Sequence, residues 1–187
     1  MHASFTDEQL LLQTKQWNNQ AFEALYLRWK KPLYLYLLHL LHYQKDDAEQ
    51  VLSDVFLSLY EYNMTNTIQT CKSFLYSTAH NKALDLIKKK SELYAQKIDH
   101  IVDEHDVSFK KRFSATYEQW ILVRYLSSLP VQEREVVYLY YNEDKSYDEI
   151  AEIVWSNKNT VWTLLSQAKK KIYASAQREG TLDLFKS

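Results

Sequence analysis

SYDEIAEIVWSNKNTVWTLLSQAKKKIY, residues 146–173, is the stretch of sequence that decides the fold of the C-terminal half. Ser146 stands three residues before Glu149, which is the capping-box pattern that begins a helix. After the three residues Trp155-Ser156-Asn157, a second helix is predicted over residues 158–173. Its apolar residues recur at spacings of four, three and four, as one buried face requires: Val161, Leu165, Ala168 and Ile172. The stretch therefore predicts two helices joined by a short turn.

The other face of the second predicted helix is polar and basic, and it carries Lys158, Asn159, Thr163, Ser166, Gln167 and Lys170. Asn and Gln can bond adenine edges, while Lys and Ser can hold phosphate oxygens. This arrangement is that of a helix-turn-helix, although a plain helical hairpin with a solvated outer face has the same amphipathic pattern. The segment at residues 129–137, which includes the start of the helix predicted from 131, precedes these two helices in an order and spacing that favour DNA binding.

Helical periodicity extends through the rest of the chain. Apolar spacings of three and four predict three helices between Thr6 and Tyr62, with Pro32 at a new first turn or a kink. A fourth helix is predicted from Cys71 to Lys90, and two more over residues 117–128 and 131–141. We therefore expect an all-α fold of two small helical domains joined by a flexible linker, the C-terminal one a helix-turn-helix. The predicted boundaries are 5–92 for the first domain, 93–116 for the linker and 117–175 for the second domain.

Composition and charge narrow the class of protein. The formal net charge of -1 gives no overall attraction to a polyanion, so contacts with nucleic acid must come from local clusters such as the lysines at 88–90 and 169–171. No window reaches the ~18 apolar residues of a membrane span, and the N-terminus lacks a signal-peptide pattern. We expect a cytoplasmic protein without membrane insertion. The single cysteine, Cys71, is expected to be a structural thiol.

An enzyme is the alternative class, with His39 and His42 as its candidate ligands or bases. These histidines lie three residues apart with no third ligand nearby in sequence, so a packed or surface pair is favoured over a metal site. No His-Glu-x-x-His spacing, glycine-rich phosphate loop or activated nucleophile is found in the sequence. We therefore expect no catalytic residues, no metal and no cofactor.

Residues 129–172 resemble the C-terminal promoter-binding domain of bacterial RNA polymerase sigma factors, particularly the small extracytoplasmic-function (ECF) group. Three N-terminal segments resemble the first conserved helices of that group in the same order: QAFEALY at 20–26, DAEQVLSDVFL at 47–57 and SFLYSTAHNKALD at 73–85. The resemblance implies a sigma factor that directs the polymerase core to promoters and assists promoter melting. A standalone helix-turn-helix regulator is the alternative, and the match at 47–57 argues against it.

The resemblance also implies roles for particular residues. Asp47, Glu49 and Asp54 would contact the clamp helices of the largest polymerase subunit, with Phe56 packed underneath. The residues implied for the minus-ten element are His80, Asn81, Lys82, Lys88 and Lys89, beside a loop at 63–70. Those implied for the minus-thirty-five element are Ser156, Asn157, Lys158, Asn159, Thr160, Thr163, Ser166, Gln167 and Lys170. The implied partners are the polymerase core and promoter DNA, and an anti-sigma factor is a further candidate.

Glycine is scarce in this chain, and tryptophan stands where the family has glycine. Gly180 is the only glycine, whereas an average usage of roughly 7% predicts about thirteen. Trp17 and Trp155 both fall at turns that suit a positive φ, which costs a residue with a Cβ about 1 to 2 kcal/mol. One hypothesis is that UGA codons for glycine have been read as tryptophan at these positions, with Trp162 a third candidate. The alternative is that the tryptophans are real.

Overall fold

The computed structural model describes residues 5–97 and 117–182, which form helices with no strand between them. The helices are α1 (Asp7–Lys15), α2 (Asn19–Leu40), α3 (Lys45–Thr65), α4 (Cys71–Lys97), α5 (Tyr117–Ser127), α6 (Val131–Tyr141), α7 (Tyr147–Ile153) and α8 (Lys158–Arg178). The predicted all-α class is confirmed. Residues 98–116 of the predicted linker lie outside the described residues.

Local sequence signals begin several of these helices. The Ser146 hydroxyl accepts a hydrogen bond from the Glu149 amide at 3.3 Å, and the Glu149 carboxylate accepts from the Ser146 amide at 2.8 Å. This confirms the predicted capping box of α7. Thr6 and Gln9 make the same reciprocal pair at α1.

Four predicted boundaries differ from the structure. α8 continues to Arg178 rather than ending at 173, and α3 continues to Thr65, into the predicted loop at 63–70. Pro32 lies inside α2, which continues on both sides of it, so a new helix beginning there is wrong. α4 continues beyond Lys90 to Lys97, and its last turns therefore include the first residues of the predicted linker. Charged residues such as lysine and glutamate are good helix formers, and the loss of apolar periodicity after Lys90 therefore did not end the helix.

Each half of the chain has the apolar core that its periodicity predicts. Helices α1 to α4 bury Leu25, Leu37, Val55 and Leu75, while the helix-turn-helix buries the predicted face of α8 at Val161, Leu165 and Ala168. Cys71 is fully buried, and burial raises the pKa of its thiol to about 12. Cys71 is therefore an inert structural thiol at neutral pH, as predicted.

The two halves are packed against each other in one continuous hydrophobic cluster. Helix α6 contacts α2, and α7 contacts α4. The rings of Tyr36 on α2 and Tyr138 on α6 lie with centroids 5.9 Å apart. We call this contact between α2 and α4 on one side and α6 and α7 on the other the interdomain seam. The sequence had predicted two separate units, and the hydrophobic patterns of single helices contain nothing that specifies such a contact.

Trp17 and Trp155 occupy left-handed backbone positions, with φ of +62° and +51°. Their side chains are 74% and 73% exposed, so no burial of the indole offsets the backbone cost. Gly180, at φ +68°, is the residue type that such a position favours. The expectation of positive φ at both tryptophan turns is confirmed.

Candidate polymerase and nucleic-acid interfaces

The predicted minus-thirty-five residues lie at the N-terminal end and along the outer face of α8. All of them are exposed except Ser166, which is half-buried. Asn157 is the N-cap of α8, and its side-chain oxygen accepts a hydrogen bond from the Thr160 amide at 2.9 Å. Lys158 Nζ donates to Asp148 across the turn at 2.8 Å, and both side chains are exposed to solvent. An exposed helix N-terminus with amides and a lysine around it is suited to a phosphate.

The lysine run at 169–171 divides among three environments. Lys169 lies over the ring of Tyr141, 5.4 Å from its centroid, and the Tyr141 hydroxyl raises the pKa of that lysine. Lys171 Nζ lies 2.5 Å from Glu133 Oε1, whereas Lys170 is exposed on the same face as the other predicted DNA contacts. Trp162 also lies on this outer surface with 59% of its area exposed, and sequence reasoning did not include it among the contacts.

The predicted polymerase-binding residues are grouped on α3. Glu49 and Asp54 are exposed, while Asp47 is half-buried and accepts from Lys90 Nζ at 2.6 Å. Phe56 is buried beneath them and meets the ring of Tyr26 edge-on at 4.8 Å. The exposed carboxylates of α3 are thus available to a basic partner, since complementary charge speeds and orients docking.

The predicted minus-ten residues are split between solvent and the interdomain seam. Asn81, Lys88 and Lys89 are exposed on α4, and Lys82 is half-buried. His80 is buried, with Nδ1 2.7 Å from Glu135 Oε1 of α6. His80 therefore faces the C-terminal half in this arrangement of the chain.

Glu135 is the centre of the interdomain seam. The Tyr36 hydroxyl donates to the same oxygen, Glu135 Oε1, that lies beside His80. Burial, together with the Glu135 carboxylate, raises the pKa of Tyr36 well above its usual value. The other carboxylate oxygen, Glu135 Oε2, is buried without a hydrogen-bond partner among the described residues. One carboxylate of α6 thus joins α2 and α4 through a single oxygen.

Arg134, the neighbour of Glu135, is fully buried at the end of α2. Its Nη2 donates to the Leu40 carbonyl at 3.1 Å, and its Nη1 lies 3.1 Å from His42 Nδ1. Burial lowers the pKa of Arg134 to about 10. Burial and then the charge of Arg134 lower the pKa of the nearby His39 to about 4. The guanidinium therefore satisfies a carbonyl that the C-terminus of α2 leaves unpaired.

Lys145, which follows α6, makes the third polar contact of the seam. It is only 5% exposed, and its Nζ lies 4.8 Å from the centroid of the Tyr76 ring on α4. Burial, and then the nearby Lys72, lower the pKa of Lys145 to about 8. A cleft of about 200 Å³ opens beside these contacts, and both His80 and Thr160 line it.

Sequence reasoning missed Arg134, Glu135 and Lys145 as contact residues. Charged residues in a row are usually solvated, so the run Glu133-Arg134-Glu135 gives no sequence signal of burial. One signal was present, because the residues that follow, 136–140, are all apolar or aromatic. A helix segment that is apolar on every face is buried, and the charged residues one turn before it are then brought close to the core.

Residues 5–97 and 117–182 contain neither a metal-binding cluster nor a membrane-spanning helix. No group of three or more His, Cys, Asp or Glu is placed to hold a metal. No helix in these ranges has both the length and the apolar character needed to cross a membrane.

Comparison with known proteins gives matches over most of the chain. Residues 119–172 match the family model "Sigma-70, region 4". RNA polymerase sigma factor SigV of Bacillus subtilis (strain 168) is 26% identical over 137 residues, covering 72% of this chain and 79% of SigV. ECF RNA polymerase sigma factor SigM of the same organism is 22% identical over 156 residues, covering 83% and 95%.

Solved structures share the fold. The sigma factor RpoE in complex with the anti-sigma factor NepR from Bartonella quintana superposes with a TM-score of 0.67 at 16% identity, covering 82% of this chain and 94% of that one. CnrH in complex with the cytosolic domain of CnrY superposes with a TM-score of 0.65 at 18% identity, covering 92% and 97%.

Proposed function

We propose that this chain is a sigma factor of the ECF group of the sigma-70 family, which directs the RNA polymerase core to specific promoters and assists promoter melting. The observation that carries this function is the region 4 match over residues 119–172, which contains α7 and α8. Within that match, the outer face of α8 is exposed and polar. The same match favours a sigma factor over a standalone regulator, because a standalone regulator does not require a region 4 domain.

The division of labour within the chain follows the sequence prediction. Residues 5–92 bind the polymerase core and the minus-ten element, residues 117–175 bind the minus-thirty-five element, and residues 93–116 connect them. The exposed carboxylates of Glu49 and Asp54 support core binding by α3. The exposed Asn159, Gln167 and Lys170 support base and phosphate contacts by α8.

The partners of the chain are the polymerase core and promoter DNA. An anti-sigma factor is a third candidate partner. The structurally similar RpoE was solved in complex with the anti-sigma factor NepR, and CnrH was solved in complex with the cytosolic domain of CnrY. The chain has no chemistry of its own in this proposal, since the core polymerase forms the phosphodiester bonds. Its place of action is the cytoplasm, where the polymerase and the promoters are.

Binding to a promoter requires the two halves to separate. The minus-ten and minus-thirty-five elements lie about 25 base pairs apart, or about 85 Å of B-DNA at 3.4 Å per base pair. His80 and Thr160, which are assigned to different elements, line a single cleft in the structure. The arrangement in the structure therefore differs from the one that a promoter-bound chain adopts.

Run-off transcription with the core polymerase of the same bacterium and a promoter library tests the function. We expect promoter-specific transcripts that appear only when the chain is added. If the core gives the same transcripts with and without the chain, the assignment as a sigma factor fails.

Charge reversal on α3 tests the core-binding surface. Asp54→Lys should weaken binding to the core about tenfold or more, because it places a lysine against a basic partner surface. Glu61→Lys makes the same charge change at another exposed position of α3 and serves as the matched control. Equal weakening by both substitutions would attribute the effect to net charge and remove Asp54 from the interface.

A further inference from the structure

We propose that Trp162 recognises thymine in the major groove, by packing its indole ring against the C5 methyl group of one base of the minus-thirty-five element. This inference rests on the proposed sigma function and adds a specificity-determining residue to it. Trp162 lies on the outer surface of α8 with 59% of its area exposed, and its indole has no hydrogen-bond or ring partner among the described residues. The side chain is therefore accessible to a partner molecule.

The helical period places Trp162 among the predicted DNA contacts. Residues three and four positions apart are neighbours on the surface of a helix. The polar surface neighbours of this side chain are therefore Lys158, Asn159 and Ser166, and all three belong to the set predicted for the minus-thirty-five element. Trp162 is the fifth residue of α8, and the second helix of a helix-turn-helix contacts base edges with its N-terminal residues. An apolar ring thus lies inside a polar DNA-binding surface.

The backbone at Trp162 gives no reason to expect glycine there, in contrast to the two tryptophans at turns. Trp17 and Trp155 have a positive φ, whereas Trp162 lies within α8 and does not. Its exposed indole contributes little to the stability of the folded chain, because most of its apolar area stays in water. We therefore expect the indole to contribute on binding, when that area is covered.

The chemistry of the indole restricts which base edge it recognises. Indole has one N–H donor and no acceptor, and most of its surface is apolar. The C5 methyl group of thymine is the apolar group that base pairs display in the major groove. Covering one methyl-sized group corresponds to about a fourfold gain in affinity. A thymine methyl is thus the base feature that fits Trp162, and its contribution is large enough to measure.

Replacement of thymine by deoxyuridine tests the contact directly, because uracil keeps the O4 acceptor and lacks only the methyl group. Duplexes are enriched from a random library by binding to the full-length chain in the presence of core polymerase, and each thymine of a bound duplex is then replaced in turn. We expect one position at which the parent chain binds the deoxyuridine duplex about fourfold more weakly. At that position Trp162→Ala should bind the thymine and deoxyuridine duplexes equally.

Two further variants separate the methyl contact from other effects of the substitution. Trp162→Phe removes the N–H donor and keeps an apolar ring, so it should retain about a twofold preference for thymine. Tyr173→Ala is the matched control, because Tyr173 is 60% exposed and lies within about 20° of Trp162 around the α8 axis, but about 16 Å further along it. This control should keep the full preference. Equal loss of the preference in Tyr173→Ala would overturn the assignment to Trp162.

Salt dependence and thermal unfolding distinguish the thymine contact from a phosphate contact and from a folding defect. Trp162→Ala should leave the slope of affinity against salt unchanged, because the indole neutralises no phosphate. It should not lower the melting temperature, because the side chain is exposed and alanine is the stronger helix former. A reduced salt slope, or a lower melting temperature with equal weakening at every sequence, would overturn the thymine contact.

The outcomes for the thymine contact and for the sigma function are distinct. Promoter-specific transcripts from the parent chain, with no position that distinguishes thymine from deoxyuridine, retain the sigma function and reject the role of Trp162. A thymine preference that Trp162→Ala removes, with no promoter-specific transcript from the parent chain, retains the thymine contact and rejects the sigma function. If the parent chain enriches no duplex, the thymine contact is overturned.

Discussion

The outer face of α8 and the inner face of α6 carry similar polar and charged residue types, yet they lie in opposite environments. Lys158 and Asp148 form their pair with side chains 58% and 69% exposed, whereas His80 and Glu135 form theirs at 7% and 1%. The exposed pair is easily exchanged for a phosphate contact. The buried pair exchanges only when the halves separate. Charge alone therefore does not identify a DNA-binding surface, because accessibility decides what a charged group can bind.

The largest expected difference between these faces is in how much a substitution lowers the free energy of unfolding. Arg134→Ala should lower the free energy of unfolding by about 3 kcal/mol, because it empties a buried site and leaves the Leu40 carbonyl unpaired. Lys158→Ala should change it by less than about 0.5 kcal/mol. Urea midpoints at constant m-value measure both. Similar losses in the two variants would mean that the seam is no more stabilising than the surface pair.

Acid should destabilise the interdomain seam through His39. The folded-state pKa of His39 is about 4, below the ordinary 6.5, mainly because of burial and then because of Arg134. Between these values the unfolded chain binds a proton that the folded chain does not, so stability that is full above pH 6.5 declines as the pH falls towards 4. We expect a loss of about 2 kcal/mol across this window, after allowance for partial exposure.

The measurement is urea unfolding at several pH values, with His39→Gln as the control. Between pH 6.5 and 4, the free energy of unfolding of the control should change less with pH than that of the parent chain, because glutamine does not titrate. Parallel curves would show that other groups cause the acid sensitivity.

Substitutions on the outer face of α8 should change DNA affinity and have little effect on the free energy of unfolding. Asn159→Ala should cost roughly 1 to 3 kcal/mol at one base pair of the minus-thirty-five element. Lys170→Ala should weaken all sequences alike and reduce the salt slope by about 1. Fluorescence anisotropy with a promoter selected by run-off transcription measures both. If Asn159→Ala weakened every sequence equally, its role would be phosphate binding.

The smallest effects are expected at the two turns that contain Trp17 and Trp155. Trp155→Gly and Trp17→Gly should each raise the free energy of unfolding by about 1 kcal/mol, because glycine adopts a positive φ without steric cost. Trp162→Gly is the control with opposite sign, since glycine inside α8 should cost about 1 kcal/mol. Thermal unfolding measures all three. UGA codons at positions 17 and 155 would support the recoding hypothesis, and UGG codons would reject it.

Trp29 shows why position matters in that comparison. Its indole Nε1 donates to Asp7 Oδ2 at 2.9 Å, and its ring meets Tyr76 edge-on at 6.3 Å. A glycine there would lose both contacts. The structure thus gives the half-buried indole of Trp29 two contacts at the edge of the core.

Local elements followed closely from the sequence. The capping box of Ser146 and Glu149, the turn at 155–157 and the apolar face of α8 were all placed correctly, because each depends on residues within one or two turns of helix. The end of α4 was placed too early, since its last turns have no apolar periodicity to mark them.

The sequence by itself thus determined the helices, the helix-turn-helix and the resemblance to sigma factors, because periodicity, caps and motifs are short-range properties. Only the tertiary structure decided that His80 is buried and that α6 joins the two halves. The Tyr36 hydroxyl and the Glu135 carboxylate are 99 positions apart, and no local preference encodes their meeting. Packing of α6 between the two halves brings its charges inside, so long-range contact determines which charged residues remain available to DNA.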